Sequence, residues 1–398
     1  MAAILDGIKV VDLTRVFAGP ASTQVLGDLG ADVIKIEGLS GDSARTMGST
    51  AERLQRLGGV SPSFLAMNRN KRSITLDLHL QSARDAALRL ASSADVMVHN
   101  FRPGVVERWG LDYTKVSTAN PRIIYAEFSA FGATGPMAHV GANDAAMQAY
   151  SGLLSATGHR GQPPVRCGTA VVDMHGSLAM ASGILAALYH RELTGEGQLV
   201  QTSLLQSAAH LMSYVYADSW ADGTVAEPLG TANTLSVPNQ AFPTADGSVV
   251  IIAYADAMWE RCANALDADQ LNIPDFKCNF DRLRHRDRLV GLLSDITSKM
   301  TSMELVEKLE AVRVNVARVN TVAQAADSEQ LAAVGGWFDL GDGSRLPRTV
   351  ATPFKLKKTP GELRRPPPEL GTHAEAILQE AGFTKTEVAA LRADGALG

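Results

Sequence analysis

From Gly7 to Gly132 the chain alternates short apolar runs with helical patterns, and no other feature constrains its fold as tightly. GIKVVDL (Gly7–Leu13) reads as a buried strand, PASTQVLGDLG (Pro20–Gly30) as a short helix and ADVIKIE (Ala31–Glu37) as a second strand. ITLDL (Ile74–Leu78), a helix from about Ser82 to Ser92 and DVMVHN (Asp95–Asn100) repeat the pattern. A helix in PGVVERWG (Pro103–Gly110) and a strand in PRIIYAEFSAFG (Pro121–Gly132) follow. Strand and helix alternating at this spacing require parallel β-α units, with helices on both faces of an open sheet. The expected class is therefore α/β.

Beyond Asp144 the pattern becomes helical and rich in small residues, with Met174–Leu193 the longest candidate helix and TGEG (Thr194–Gly197) its glycine stop. A strand near Gln198–Leu204 and another helix come next, then a loop-like stretch over Thr224–Pro243. GSVVIIAYA (Gly247–Ala255) reads as a strand, and the more charged segment to about Val312 as mostly helical. LRRPPPELG (Leu363–Gly371) is extended, because consecutive prolines cannot join a helix. Two short helices close the chain, with capping-box starts at Thr372/Glu375 and Thr384/Glu387. The expected division is 1–225 for the first part of a large domain, 226–320 for a smaller α+β domain, and 321–398 for a return that completes the large one.

Composition narrows the function classes. The chain has 398 residues, enough for two or three domains at the usual size. Lys and Arg total 37 against 42 Asp and Glu, a net charge of −5, so there is no electrostatic footprint for nucleic acid. An anionic ligand must be held by a local basic cluster. Three cysteines, Cys167, Cys262 and Cys278, show no CxxC spacing and suggest a reducing compartment. MAAILDGIKVVDL reaches Asp6 before any basic residue, unlike a secretory signal. The most apolar stretch, Gly176–Tyr189, is shorter than the roughly 18–20 residues that span a bilayer. A cytoplasmic protein with no membrane partner is expected.

Absent motifs exclude more. The chain has no GxGxxG after Gly7–Leu13, no GxxxxGK[ST], no HExxH and no GxSxG, and its histidines have no metal-ligand spacing. A dehydrogenase, a P-loop enzyme, a zinc hydrolase and an α/β-hydrolase are all disfavoured, and no metal is expected. The most basic segment is NRNKRS (Asn68–Ser73), where Arg69, Lys71 and Arg72 form either a solvated turn or a phosphate grip. Arg45, Arg102 and Arg108 stand at strand or helix ends where they could join it. Asp173 ends the run AVV (Ala170–Val172) and opens a helix. It reads either as an N-cap or as a carboxylate, ionised at neutral pH, beside free helix amides able to hold an oxyanion.

Several segments resemble the family III CoA-transferases, which include formyl-CoA and carnitine CoA-transferases and α-methylacyl-CoA racemase. They are GPASTQVLGDLGADVIKIE (Gly19–Glu37), NRNKRSITLDL (Asn68–Leu78), HNFRPGVVERWGLDY (His99–Tyr113), Val171–Leu205 and RPPPELGTHAEAILQEAGF (Arg365–Phe383). They span nearly the whole chain in the family's order. The resemblance implies a Rossmann-like large domain, built from the N-terminal half plus the C-terminal tail, and two chains interlocked as rings in a homodimer. It implies Asp173 as the catalytic residue. It also implies coenzyme A or acyl-CoA as substrate, with no permanently bound cofactor, and a small carboxylic acid as the other partner. CoA binding then falls to Val16, Phe17, Asn100, Phe101 and Arg108, with Lys71 and Arg72 nearby. Gly38 replaces the family's arginine after the IKIE strand, and Arg45 is the expected substitute.

In the transferase reading Asp173 attacks an acyl-CoA, giving a mixed anhydride and then an aspartyl-CoA thioester that the acceptor acid displaces. Two departures from the family pattern bear on this. The racemase branch has a GHD-like segment, but here GAND (Gly141–Asp144) puts Asn143 in the place of the base, which disfavours two-base epimerisation. The glycine run that caps the formyl-CoA transferase site is absent, with GTANTLSVPNQ (Gly230–Gln240) in its place. Three alternatives remain at this point: an acyl-CoA epimerase on the same fold, a non-catalytic CoA-binding subunit, and an NAD-dependent oxidoreductase lacking its glycine fingerprint.

Overall fold

The structure is a computed structural model that describes residues 2–341 and 344–398. It divides into two compact units. The first comprises residues up to Leu153, Cys167–Gly223 and Ala332–Gly398, and the second Leu154–Arg166 with Thr224–Leu331. This division differs from the expected boundaries in two ways: a short piece before Cys167 packs with the second unit, and that unit runs on to Leu331.

The first unit is built on a six-stranded sheet of β1 (Lys9–Asp12), β2 (Asp32–Glu37), β3 (Lys71–Thr75), β4 (Val96–His99), β5 (Ile124–Ser129) and β6 (Gln198–Ser203). All neighbours are parallel and the order is β3-β2-β1-β4-β5-β6. The chain thus winds outward from β1 in one direction and from β4 in the other, which leaves a crevice beyond their carboxyl ends where such sheets bind ligands. Strands buried on both faces read as continuous apolar runs. VVD and VMV supply Val10 and Val98 to one face and Val11 and Met97 to the other.

Helices cover both faces. On one face lie α1 (Ala18–Asp28) and the 24-residue α4 (Val171–Thr194), which bury Leu26, Val172, Met180 and Ile184 against Val33, Ile124 and Phe128. On the other lie α2 (Gln81–Ser92) and the C-terminal helices Ala374–Glu380 and Lys385–Ala393, with Ile377, Leu378 and Leu391 in the core. Helix α4 exceeds the expected Met174–Leu193 and is long and apolar enough, by length and composition, to cross a bilayer. Here one side of it is core. Gly195, at φ +82°, ends it in the left-handed conformation that glycine adopts without strain.

Strand β3 lies three residues earlier than ITLDL suggested, because Lys71, Arg72 and Ser73 are part of it and buried. Of the two expected capping boxes, Thr384/Glu387 forms, whereas the helix after Thr372 starts at Ala374 behind His373, whose ring makes no capping bond and instead accepts the Ser73 N–H. The second unit holds an antiparallel sheet of β7 (Asn239–Thr244), β8 (Gly247–Ile252) and β9 (Asn315–Arg318). Its helices pack on a core around Phe242, Ile251, Trp259 and Leu293. Strand β7 occupies the end of the stretch expected to be loop.

Candidate active site

Two loops meet at the crevice, one after β1 and one after β4. The Asn100 side chain locks them together: its Oδ1 accepts the Arg15 N–H at 2.8 Å and its Nδ2 donates to the Arg15 carbonyl at 2.8 Å. Val16 sits at φ +71°, an unfavourable conformation for a β-branched residue. Its N–H is held by both oxygens of Asp42 at 3.2 Å, and Lys35 ties Asp42 to the Thr14 carbonyl. The backbone is therefore fixed in a shape it would not choose alone.

A cavity of about 190 Å³ opens at this point, lined by Arg15, Val16, Phe17, Asn100, Asn143 and Asp173 among others. Val16, Phe17, Asn100 and Asp173 thus come together around one cavity. Phe101 stands beside them, stacked edge-on with Trp109 at 4.9 Å and under the Arg15 guanidinium at 5.1 Å. Arg102 and Arg108 are exposed and form no ion pair among the described residues. Arg102 lies across Gly141, where an added Cβ would fall 2.4 Å from its guanidinium. Among the described residues, Arg15, Arg102 and Arg108 are guanidinium groups at this end of the sheet without an ion-pair partner.

The other basic candidates are engaged elsewhere. Lys71 is fully buried and donates to Asp12 at 2.9 Å, the Pro20 carbonyl and Asn68. Burial alone would raise the Asp12 carboxyl, but Lys71 and Lys35, with the Thr14 and Thr23 hydroxyls, hold it down at about 2. Arg72 pairs with Asp32 and Glu380, Arg69 with Asp28, and Arg45 with Glu37 and the Pro368 carbonyl. NRNKRS is therefore neither a solvated turn nor an open phosphate grip. Arg45 does not replace the missing arginine after β2, because its guanidinium is bonded inward.

Asp173 stands in the first turn of α4 but is not its cap. The cap is Asp144, on α3 (Asp144–Tyr150), whose Oδ2 accepts the N–H of Val172 at 2.8 Å and of Asp173 at 3.1 Å. Gln148 braces the other oxygen at 2.5 Å. Val171 N–H bonds Thr169 and Met174 N–H bonds Ala170, so none of the first four amides is free for an oxyanion. The Asp173 carboxyl is pushed up to about 7, first by burial and then by the Asp144 charge. The expectation of a fully ionised carboxylate at neutral pH is corrected accordingly.

His175 turns aside from this arrangement, with Nδ1 2.6 Å from Ser207 and Nε2 3.1 Å from His210 on α5 (Leu204–Leu211). Gly176 lets α4 settle on the sheet, since a Cβ there would meet Phe128 Cζ at 2.7 Å. Two site residues escaped the sequence reading. Arg15 lay in the first β-α turn without a motif, and Asp144 could have been found from the Asn-Asp start of a short helix. GTANTLSVPNQ belongs to the second unit.

Residues 5–374 match the family model of CoA-transferase family III. An acyl-CoA transferase of Fusarium pseudograminearum is 36% identical over 98% of this chain and 88% of its own length. The succinate–glutarate CoA-transferase of Agrobacterium fabrum is 32% identical over 94% of this chain and 95% of its own. The crystal structure of a CaiB/BaiF family protein from Brucella suis superposes with a TM-score of 0.85 at 31% identity, covering 96% of this chain and 100% of that one. With the parallel sheet and the crevice site, these similarities make the chain a member of the family III CoA-transferases, an enzyme that transfers CoA.

Proposed function

We propose that the enzyme moves CoA from an acyl-CoA to a free short dicarboxylic acid, with Asp173 as the covalent nucleophile. The observation that carries this reading is the position of Asp173 in the cavity at the β1/β4 crevice, beside the loops of Val16 and Asn100. One Asp173 oxygen attacks the thioester carbonyl carbon and CoA leaves as a thiolate, giving a mixed anhydride. The thiolate attacks the aspartyl carbonyl, releases the donor acid and leaves an aspartyl-CoA thioester. The acceptor carboxylate repeats the exchange in reverse order, so each step conserves one activated acyl bond. In this reading Phe101 and Arg108 receive the nucleotide end of CoA, and Arg15 receives a phosphate or carboxylate oxygen.

The dicarboxylate acceptor rests on Arg102, a free cation beside the Gly141–Asn143 segment, and on the activity named for the Agrobacterium relative. A second copy of the chain belongs to the same proposal. Met174, Leu178, Tyr189 and Leu193 form an exposed apolar row on α4 of the kind a homodimer covers. Size-exclusion chromatography with light scattering tests the dimer. Intact-protein mass spectrometry after incubation with a panel of acyl-CoAs tests the mechanism. A CoA-sized adduct on the wild type that is absent from Asp173→Ala supports it, and CoA binding without any adduct overturns it.

A further inference from the structure

We infer that Asn143 is a catalytic residue whose side-chain N–H binds the substrate carbonyl oxygen as it becomes an oxyanion. The inference rests on the proposed nucleophilic role of Asp173. Asn143 and Asp173 line the same cavity. Attack by Asp173 forms a C–O bond at the thioester carbon while the carbonyl π pair moves onto oxygen. The pair then returns, the C–S bond breaks and the thiolate leaves, with no proton transferred. The charge that needs stabilising is on that oxygen, and preorganised donors aimed at it usually supply the largest single contribution to such a step.

Most donors around this cavity are already engaged. Helix α4 offers no free amide, because Asp144, Thr169 and Ala170 accept its first four N–H groups. Val16 N–H is held by Asp42 and the Asn100 amide by the Arg15 carbonyl. Ser129 Oγ accepts from Gly132 and donates to Thr202. Arg15, over the Phe101 ring, is the group assigned above to a phosphate or carboxylate oxygen. That leaves Asn143. Its Oδ1 accepts the Ala146 N–H at 3.2 Å as the cap of α3, which fixes the side-chain orientation and identifies Nδ2 as the outward atom. Nδ2 has no partner among the described residues. The feature that weakens an epimerase reading, an amide in place of a base, suits a transferase that needs a neutral donor with no proton to lose.

The test compares Asn143→Ala and Asn143→Ser with wild type, following aspartyl-CoA formation by rapid quench and intact mass. Serine retains the helix cap and is too short to replace the donor. Both variants are expected to form the adduct about 10²-fold more slowly, with KM for acyl-CoA changed less than threefold. Asn143→Ser should unfold at the wild-type temperature. Replacing the thioester with a dithioester, a weaker hydrogen-bond acceptor, should slow wild type but slow Asn143→Ser much less. Wild-type adduct rates in both variants would overturn the inference while leaving Asp173 intact. So would a rate loss in Asn143→Ala that Asn143→Ser restores, since that is a capping effect. No adduct on wild type would instead overturn the nucleophilic reading itself.

Discussion

Asp144 accepts the backbone N–H of Asp173 at 3.1 Å, so one carboxylate anchors the helix start that carries the other. The same contact makes α4 rigid at its origin and places a negative charge beside the proposed nucleophile. Asp144→Asn removes the charge while its one carbonyl oxygen can still accept both amides, since a single Asp144 oxygen accepts the two of them. The midpoint of the pH–rate profile should move to lower pH, though not to the value of a free carboxyl, because burial is the larger cause of the shift. Asp144→Ala leaves two amides unpaired and should cost about 1–3 kcal/mol of stability, read by denaturant unfolding.

Adduct formation in wild type should rise with pH and level off above about 7, because only the ionised Asp173 attacks. Single-turnover rates between pH 5 and 9 check this. A profile flat from pH 5 would contradict it.

Stability should show the opposite sign. The Asp173 carboxyl is raised from 3.8 to about 7 in the folded chain, so the native state holds its proton more tightly between those values. Stability from this group therefore falls as pH rises through that window. Asp173→Asn should melt above wild type at pH 8, by about 1–3 kcal/mol once solvent screening is allowed for, and nearly with it at pH 4.

The basic residues should separate into two classes. Arg108→Ala should raise KM for acyl-CoA roughly tenfold and leave the melting temperature unchanged. Lys71→Met should do the reverse, because it strands the buried Asp12 carboxylate at a cost of roughly 3–5 kcal/mol. Thermal melts and initial rates on both variants distinguish these outcomes.

Much of the sheet could be read from the sequence because β1, β2, β4 and β5 are apolar runs separated by amphipathic helices. Strand β3 was misplaced because its charges look like surface, and nothing local reveals that Asp32 on the adjacent strand and Asp12 one strand further on pair with Arg72 and Lys71. The family resemblance names Val16, Asn100 and Asp173, and the candidate site is legible in the sequence only that far. It was not legible where it depends on contacts remote in sequence. Asp144 lies 29 residues before the amide of Asp173 it accepts. The free state of Arg15 and Arg102, unlike Arg45, follows only from which carboxylates come within reach.

Gly176 never faces the crevice, yet it sets the height of everything that does. With Phe128 Cζ 2.7 Å from where its Cβ would stand, Gly176→Ala displaces either the Phe128 ring or the first turns of α4, and the second carries Asp173 with it. A methyl group on the hidden side of the helix would thus be read in an assay as damage to the nucleophile. The tolerance of this enzyme to substitution is set as much by what lies beneath Asp173 as by what surrounds its carboxylate.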